Sequence, residues 1–243
     1  MVPPTARLRL LPTDVLPPHS RSRGAIRPQL NPLAALTALL ARPGLRPVLA
    51  VTFLVATAFA GLQTNLAVFL SDRFGWGPAE VAWVFAVWAL ASVLMQVCLV
   101  GRLSSRLGDI ALLVLGFGLT SLSALGIGLA GSPAALWVAV VLQAVGGAIW
   151  RPALAGLASK LASAREQGRV SGGSQAVTAL GSVAGPIGAG LAFEHLGIAA
   201  PYVASAAVTA LAVLVVLLAS AEPTPDAELV VRGSVPRPSS AAS

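Results

Sequence analysis

Charged residues are scarce in this 243-residue chain. They make up 10% of it, whereas a soluble domain carries roughly 25%. Because 56% of the residues are hydrophobic and the mean hydropathy is +0.83, the chain belongs in a bilayer. Cysteine is almost absent as well. The single Cys98 lies inside an apolar run, which excludes a disulfide framework, a cysteine-rich zinc site and a CxxC redox pair within one chain.

Motifs for enzymes and cofactors are equally rare. The stretch GIGLAG at 126–131 matches the letters of a dinucleotide-binding motif, but it closes an apolar run instead of following a strand. The two histidines, His19 and His195, lie in a proline-rich leader and at the end of an apolar run, so they form no metal or catalytic pair. The sequence therefore predicts no enzyme, no metal site and no cofactor.

Six apolar runs are each long enough to cross about 30 Å of hydrocarbon, which takes roughly 20 helical residues. Helices are expected because a bare sheet edge has no partner in a bilayer and a closed barrel would show alternating apolar and polar residues. The expected fold class is all-α and integral to the membrane, a bundle of six transmembrane helices. The runs cover approximately 46–70, 80–100, 110–130, 133–158, 171–193 and 199–219.

The segments outside these runs differ from them in composition. Residues 1–30 are rich in proline and arginine and lack the apolar core of a signal peptide, which predicts a disordered cytoplasmic leader. Residues 221–243 predict a disordered cytoplasmic tail. Between the leader and the first run, residues 31–44 place leucines on one helical face and are too short to span, so we expect an amphipathic helix at the membrane interface.

Basic residues indicate the orientation. The formal net charge of +7 does not indicate nucleic-acid binding, since Lys and Arg lie between apolar runs and not on one water-exposed face. Near the ends of spans, basic residues favour the cytoplasm, so both termini are expected there, with the protein in the plasma membrane. One side of the runs holds Arg42, Arg46, Arg102, Arg106, Lys160, Arg165 and Arg169, and the other holds only Arg73.

The connection between the second and third runs reads GRLSSRLGDI, residues 101–110. Its glycines, Gly101 and Gly108, bracket a short turn, which indicates close approach of two helix ends. The stretch resembles the signature of the major facilitator superfamily, although Ser105 stands where the family has aspartate and Asp109 stands where it has a basic residue. Such departures are typical of the family's C-terminal half. The residues that match are Gly101, Leu103, Arg106 and Gly108.

The fifth run contains GSVAGPIGAG, residues 181–190. Its Gly181, Gly185 and Ala189 recur every four residues, which leaves one helix face nearly bare for a close neighbour. Pro186 removes a backbone donor and permits a bend. Two interpretations stay open: ordinary small-residue packing, or a face that slides as access alternates.

The resemblance implies that the first, second, fourth and fifth helices face a substrate cavity between two six-helix halves. Each amide on these helices has an alternative role as an interhelical hydrogen bond worth about 0.6 kcal/mol. Arg151 lies nine residues from Lys160, roughly 13 Å inside the helix end, where it either snorkels to the surface, lines the cavity or clamps carbonyl groups. The candidate lining residues are Gln63, Asn65, Gln96, Gln143, Arg151 and Gln175. Trp88 and Trp150 either stack against substrates or pack between helices.

The function that this resemblance implies is secondary active transport. We expect the C-terminal half of an exporter of small amphipathic compounds, with the lipid bilayer, a small-molecule substrate and an N-terminal six-helix half or a second copy as partners. No carboxylate lies in the middle of a run, so a proton-coupling acid would belong to the other half. The alternative is a truncated or accessory membrane protein that does not transport.

Overall fold

The computed structural model describes residue 37 and residues 39–42, 44–104, 106–163 and 166–221. Within these ranges the backbone forms six long helices and no strand. All six are long and apolar enough to cross a membrane. The expected fold class, an all-α bundle of six membrane-spanning helices, is confirmed.

The helices follow one another with short connections, as antiparallel neighbours do. The second helix, α2 (Pro78–Met95), continues through a π-helical turn, Gln96–Val100, and a short α-helical turn, Gly101–Ser104. The bounds are α1 Arg46–Phe74, α2 Pro78–Met95, α3 Asp109–Gly128, α4 Pro133–Lys160, α5 Gln167–Leu196 and α6 Ala200–Ala221.

Local sequence signals set several helix ends. Helix α1 ends at Gly75, whose left-handed φ of 66° suits a glycine, and the Gly75 N–H donates to the Ser71 carbonyl at 2.9 Å. Helix α2 begins at Pro78, where a missing N–H costs nothing, and Glu80 accepts a hydrogen bond from the Gly77 N–H at 2.9 Å. These caps make the α1–α2 connection only three residues long.

Four of the helices pack as two pairs, and α6 joins the pairs. Helix α1 packs on α5, α3 packs on α4, and α6 lies across both α1 and α3, while α2 packs mainly on α4. The end of the bundle that holds Arg46, Lys160 and Arg169 is called the basic end below. One apolar cluster, including Leu49, lies toward it, and a second, including Leu70, lies toward the opposite end. The bundle thus has an apolar core in two parts, one toward each end.

The predicted leader and most of the predicted interfacial helix fall outside the described residues, as does the tail after Ala221. Of the interfacial segment, Thr37, Leu39 and Leu40 have helical backbone. Leu39 is 4% exposed and packs in the core cluster at the basic end, in contact with the backbone at Gly173 of α5. This side chain therefore contacts the bundle itself.

The expected close approach at Gly101 and Gly108 is wrong for the described residues. Gly101 has helical backbone, with φ −60° and ψ −40°, and Gly108 precedes α3 in an extended conformation that any residue adopts. A Cβ atom on either glycine would meet no atom of the described residues within 4 Å. Helix α2 is prolonged to Ser104 and α3 starts at Asp109, so Gly101 lies within the prolonged helix and Gly108 lies just before α3.

Candidate functional site

The bare face predicted on α5 lies against α1. A Cβ atom on Gly181 would lie 2.7 Å from the Cβ of Ala56, and one on Gly185 would lie 2.8 Å from the backbone nitrogen of Gly61 and overlap the carbonyl oxygen of Thr57. Ala189 is 6% exposed and approaches Gly61 from the next turn. The contact joins two helices of one bundle, and Pro186, one residue after Gly185, is accommodated within the helix.

A second crossing of bare backbones, which sequence analysis missed, joins α3 to α4. A Cβ on Gly116 would lie 2.7 Å from the Cβ of Trp150, and a Cβ on Gly146 would lie 2.6 Å from the Oγ1 of Thr120. The available signal was the pair of glycines at 146 and 147 in the fourth apolar run. This crossing fixes which face of α4 points into the bundle.

Gln143 lies on that inward face, because it precedes Gly146 by three residues. It is 2% exposed, and its Oε1 has no hydrogen-bond partner among the described residues. It lines a small internal cavity together with Thr120, Ser205 and Thr209. The prediction that Gln143 lines a cavity between two halves is therefore wrong: its side chain is enclosed by α1, α3 and α6 of the same bundle.

The other predicted amides do not converge on one point. Gln63, Gln96 and Gln175 have exposed side chains on three different helices. Asn65 is half-buried and donates from Nδ2 to the Gly61 carbonyl of its own helix at 3.2 Å. Gln63 lies one turn beyond Phe59 on α1, which places it on the same face of α1 as that ring.

Serines make hydrogen bonds between helices, a role that sequence analysis considered only for the amides, as an alternative to lining the cavity. Ser123 donates to the Ala139 carbonyl at 2.7 Å, joining α3 to α4. Ser121 donates to the Ala206 carbonyl at 2.9 Å, joining α3 to α6, and Ser205 donates to a carbonyl of α1. A short hydroxyl side chain reaches a neighbouring backbone only where helices are close, so these bonds accompany the small-residue crossings.

Arg151 on α4 extends toward α1. Its guanidinium carbon lies 4.4 Å from the ring centroid of Phe59 and 5.3 Å from that of Trp150. Phe59 is 13 residues from Arg46, which places it roughly 20 Å along α1 from the basic end. Helical side chains lean toward the N-terminus of their helix, and Arg151 therefore leans away from the basic end, where α4 terminates. The guanidinium therefore lies near the middle of the bundle, which contradicts the snorkelling interpretation.

The Phe59 ring beside this guanidinium belongs to a group of packed aromatic side chains. Phe59 meets Trp88 of α2 edge-on, with ring centroids 5.5 Å apart, and Trp88 stacks on Phe85 at 6.1 Å. Trp88 is only 8% exposed and packs in the bundle core, whereas the Arg151 side chain is exposed. We call Phe59, Trp88, Trp150 and Arg151 the arginine–aromatic site. Phe59 is its member that sequence analysis missed, and its only signal was a lone aromatic residue among small ones in TAFAG.

Two ion pairs lie at the basic end, and sequence analysis missed both pairings. Lys160 Nζ of α4 lies 2.5 Å from Asp109 Oδ2 of α3. Arg42 pairs with Glu166 just before α5, and Ser163 donates to the same carboxylate at 2.8 Å. Hydrogen bonding from Arg42 and then from Ser163 lowers the pKa of Glu166 to about 2.

The two remaining matched positions of the loop motif lie beside these pairs in sequence. Leu103 is half-buried against the core cluster of the basic end, and Arg106 is exposed. The Arg106 N–H donates to the Leu103 carbonyl at 3.1 Å, which closes the turn after α2. The loop thus has an apolar anchor and an exposed cation.

Residues 48–241 match the sequence profile of the Major Facilitator Superfamily, and the chain belongs to this family. Members of the family are transporters and not enzymes. The protein is therefore a multi-pass membrane protein of a transporter family.

Individual proteins resemble the chain over part of their length. It is 28% identical over 171 residues to the tetracycline resistance protein, class G, of Vibrio anguillarum, covering 70% of this chain and 43% of that protein. It is 27% identical to multidrug resistance protein 2 of Bacillus subtilis (strain 168), covering 59% of this chain and 36% of the relative. The fold matches the crystal structure of the human organic anion transporter MFSD10 (TETRAN) with a TM-score of 0.69 and 22% identity, over 76% of this chain and 46% of that one. The chain thus spans less than half the length of these relatives.

Proposed function

We propose that the chain is the C-terminal six-helix half of a secondary active exporter of small amphipathic compounds that works by alternating access between two halves. The observation that carries the proposal is a six-helix bundle of a transporter family that spans less than half of each relative. Export is favoured by relatives named for tetracycline and multidrug resistance. Both termini are cytoplasmic in this account, and the membrane is the plasma membrane.

The second half lies against α2 and α5. Helix α5 places Gly181 and Gly185 against α1, while the opposite face carries large apolar side chains that are more than half exposed. Helix α2 buries only Val84 and Trp88. These two faces support a partner of similar size, either an N-terminal half in the same or a separate chain or a second copy. The exposed side chains of α5 are Leu180, Val183, Ile187 and Leu191.

An efflux measurement in cells tests the proposal. Cells that express the native protein, with any upstream half, are loaded with a panel of fluorescent amphipathic compounds of differing charge, and retention is compared with vector controls. The proposal predicts faster loss of some compounds, and an ionophore that collapses the ion gradients removes the difference. Equal retention of every compound, with the protein present in the membrane fraction, contradicts it and favours the accessory, non-transporting alternative.

The size of the native product distinguishes the possible partners. An epitope tag at the C-terminus of the chromosomal gene reports the size in membrane fractions. A band near 24.5 kDa identifies a separate or self-associating half, and a band at about twice that mass identifies a half fused upstream. Cross-linking of the small form to itself or to another protein then separates the remaining two cases.

A further inference from the structure

The arginine–aromatic site holds a cation for which the described part of the chain supplies no anion. Among the described residues, Arg151 takes part in neither of the ion pairs and donates no hydrogen bond. The carboxylates of the described chain lie at helix ends, whereas the guanidinium lies near the middle of α1. A charged side chain at that depth is costly unless it meets water or an anion.

The guanidinium carbon of Arg151 lies over two aromatic rings, those of Phe59 and Trp150. Arginine presents five N–H donors in a planar fork, and among the described residues none of those of Arg151 donates a hydrogen bond, so they are available to an anion. Trp88 packs edge-on against Phe59, with ring centroids 5.5 Å apart. The unpaired cation thus has two aromatic rings beside it.

We propose that Arg151, with Phe59 and Trp150, binds the carboxylate of an amphipathic substrate whose flat apolar body rests on the aromatic side chains. A guanidinium fork matches a carboxylate with two parallel hydrogen bonds, and a lysine does not reproduce this geometry. An organic cation is repelled at this position. The inference rests on the proposed transport function and narrows the amphipathic substrates to aromatic anions.

A matched set of small probes tests the site by equilibrium binding. The native protein, with any partner it carries, is reconstituted in nanodiscs and titrated with radiolabelled 2-naphthoate, neutral 2-naphthamide and cationic 2-naphthylmethylammonium. These probes share a ring system and differ in charge. We expect naphthoate to bind about tenfold more tightly than naphthamide, the difference that a charge-assisted hydrogen bond supplies, and the cation to bind most weakly. Equal binding of the three probes overturns the proposal.

Variants then assign the preference to Arg151. We expect Arg151→Met to remove the tenfold preference for naphthoate while leaving naphthamide binding within about twofold, and Arg151→Lys to retain only part of it. Arg73→Met, which removes a cation at the opposite end of the bundle, is the control and should keep the full preference. An unchanged preference in Arg151→Met overturns the proposal. If Arg151→Met does not fold, the proposal is tested by the preference of the wild type for naphthoate and by its partial loss in Arg151→Lys.

Co-purification of the two halves, measured beside probe binding, distinguishes a substrate anion from a carboxylate of the partner half. If the partner supplies the anion, Arg151→Met weakens co-purification of the two halves and wild-type protein shows no naphthoate preference, which overturns the substrate assignment. Failure of transport is distinguishable from failure of the site. Arg151-dependent binding without efflux removes the transport proposal alone, and efflux without charge preference or Arg151 dependence removes the site alone.

Discussion

A Cβ atom on Gly185 of α5 would lie 2.8 Å from the backbone nitrogen of Gly61 on α1, closer than real Cβ atoms approach such an atom. The backbones of the two helices are therefore in direct contact. Since a backbone cannot move aside as a flexible side chain can, even one added methyl group has to displace a helix. The small residues of GSVAGPIGAG hold two helices of one bundle together.

Gly185→Ala is expected to lower the thermal stability of the purified protein, because overpacking of this kind costs about 1–3 kcal/mol. The control is Gly188→Ala on the same helix, where a Cβ would meet no atom within 4 Å. That variant makes the same change in helix propensity and should not lose stability. Thermal unfolding in detergent measures both, and equal midpoints for the two variants would contradict the direct backbone contact.

The Arg42–Glu166 pair predicts a specific pH dependence. The folded pKa of Glu166, about 2, lies below its ordinary value of 4.5, so the stabilisation is fully present above pH 4.5 and is lost as the pH falls toward 2. The stability difference between wild type and Glu166→Gln should therefore be constant from pH 8 to 5 and shrink below 4.5. Glu194→Gln, at the other end of α5, is the control. A difference that has vanished at pH 5 is the contrary result.

The Lys160–Asp109 pair is expected to contribute modestly, because the Lys160 side chain is 66% exposed. Solvent-exposed pairs are worth about 0.2–1 kcal/mol in double-mutant cycles. A cycle of Lys160→Met, Asp109→Asn and the double variant, measured by unfolding in mixed micelles, should give a coupling in that range that declines with salt. Strict additivity of the two single variants would contradict the predicted coupling.

The expected orientation predicts which residues are accessible from outside the cell. In a Cys98→Ser background, cysteines are placed at Gly131, before α4, and at Gly168, at the start of α5, since a Cβ at either position meets no atom within 4 Å. A membrane-impermeant maleimide should label Gly131→Cys on intact cells and Gly168→Cys only after permeabilisation. The reverse pattern would place the basic end outside.

The six-helix architecture can be predicted from sequence because hydropathy reports how much chain fits in hydrocarbon. Helix ends are less predictable, since hydrogen bonding continues beyond the apolar part until a cap stops it. Helix α5 has 30 residues, from Gln167 to Leu196, whereas its apolar run spans 171–193. Gly197, with a φ of 92°, follows its last residue.

The environment of each polar residue cannot be predicted in the same way, because it depends on neighbours that are distant in sequence. Gln143 and Arg151 are both polar residues of α4, yet Gln143 is enclosed and Arg151 extends over Phe59. Gly146 lies against α3 at Gly116, and this contact determines which face of α4 points into the bundle. It depends on two glycines that are distant in sequence. The Arg42–Glu166 pair likewise joins residues 124 positions apart.

Transport by the purified protein in proteoliposomes tests the central claim most directly. The native protein, with any partner half, is reconstituted, an ion gradient is imposed, and accumulation of the panel of amphipathic compounds is followed over time. The account predicts gradient-dependent accumulation of at least one compound, lost when an ionophore collapses the gradient. Folded, monodisperse protein that moves none of the compounds under any imposed gradient would contradict the assignment of this chain to a working exporter.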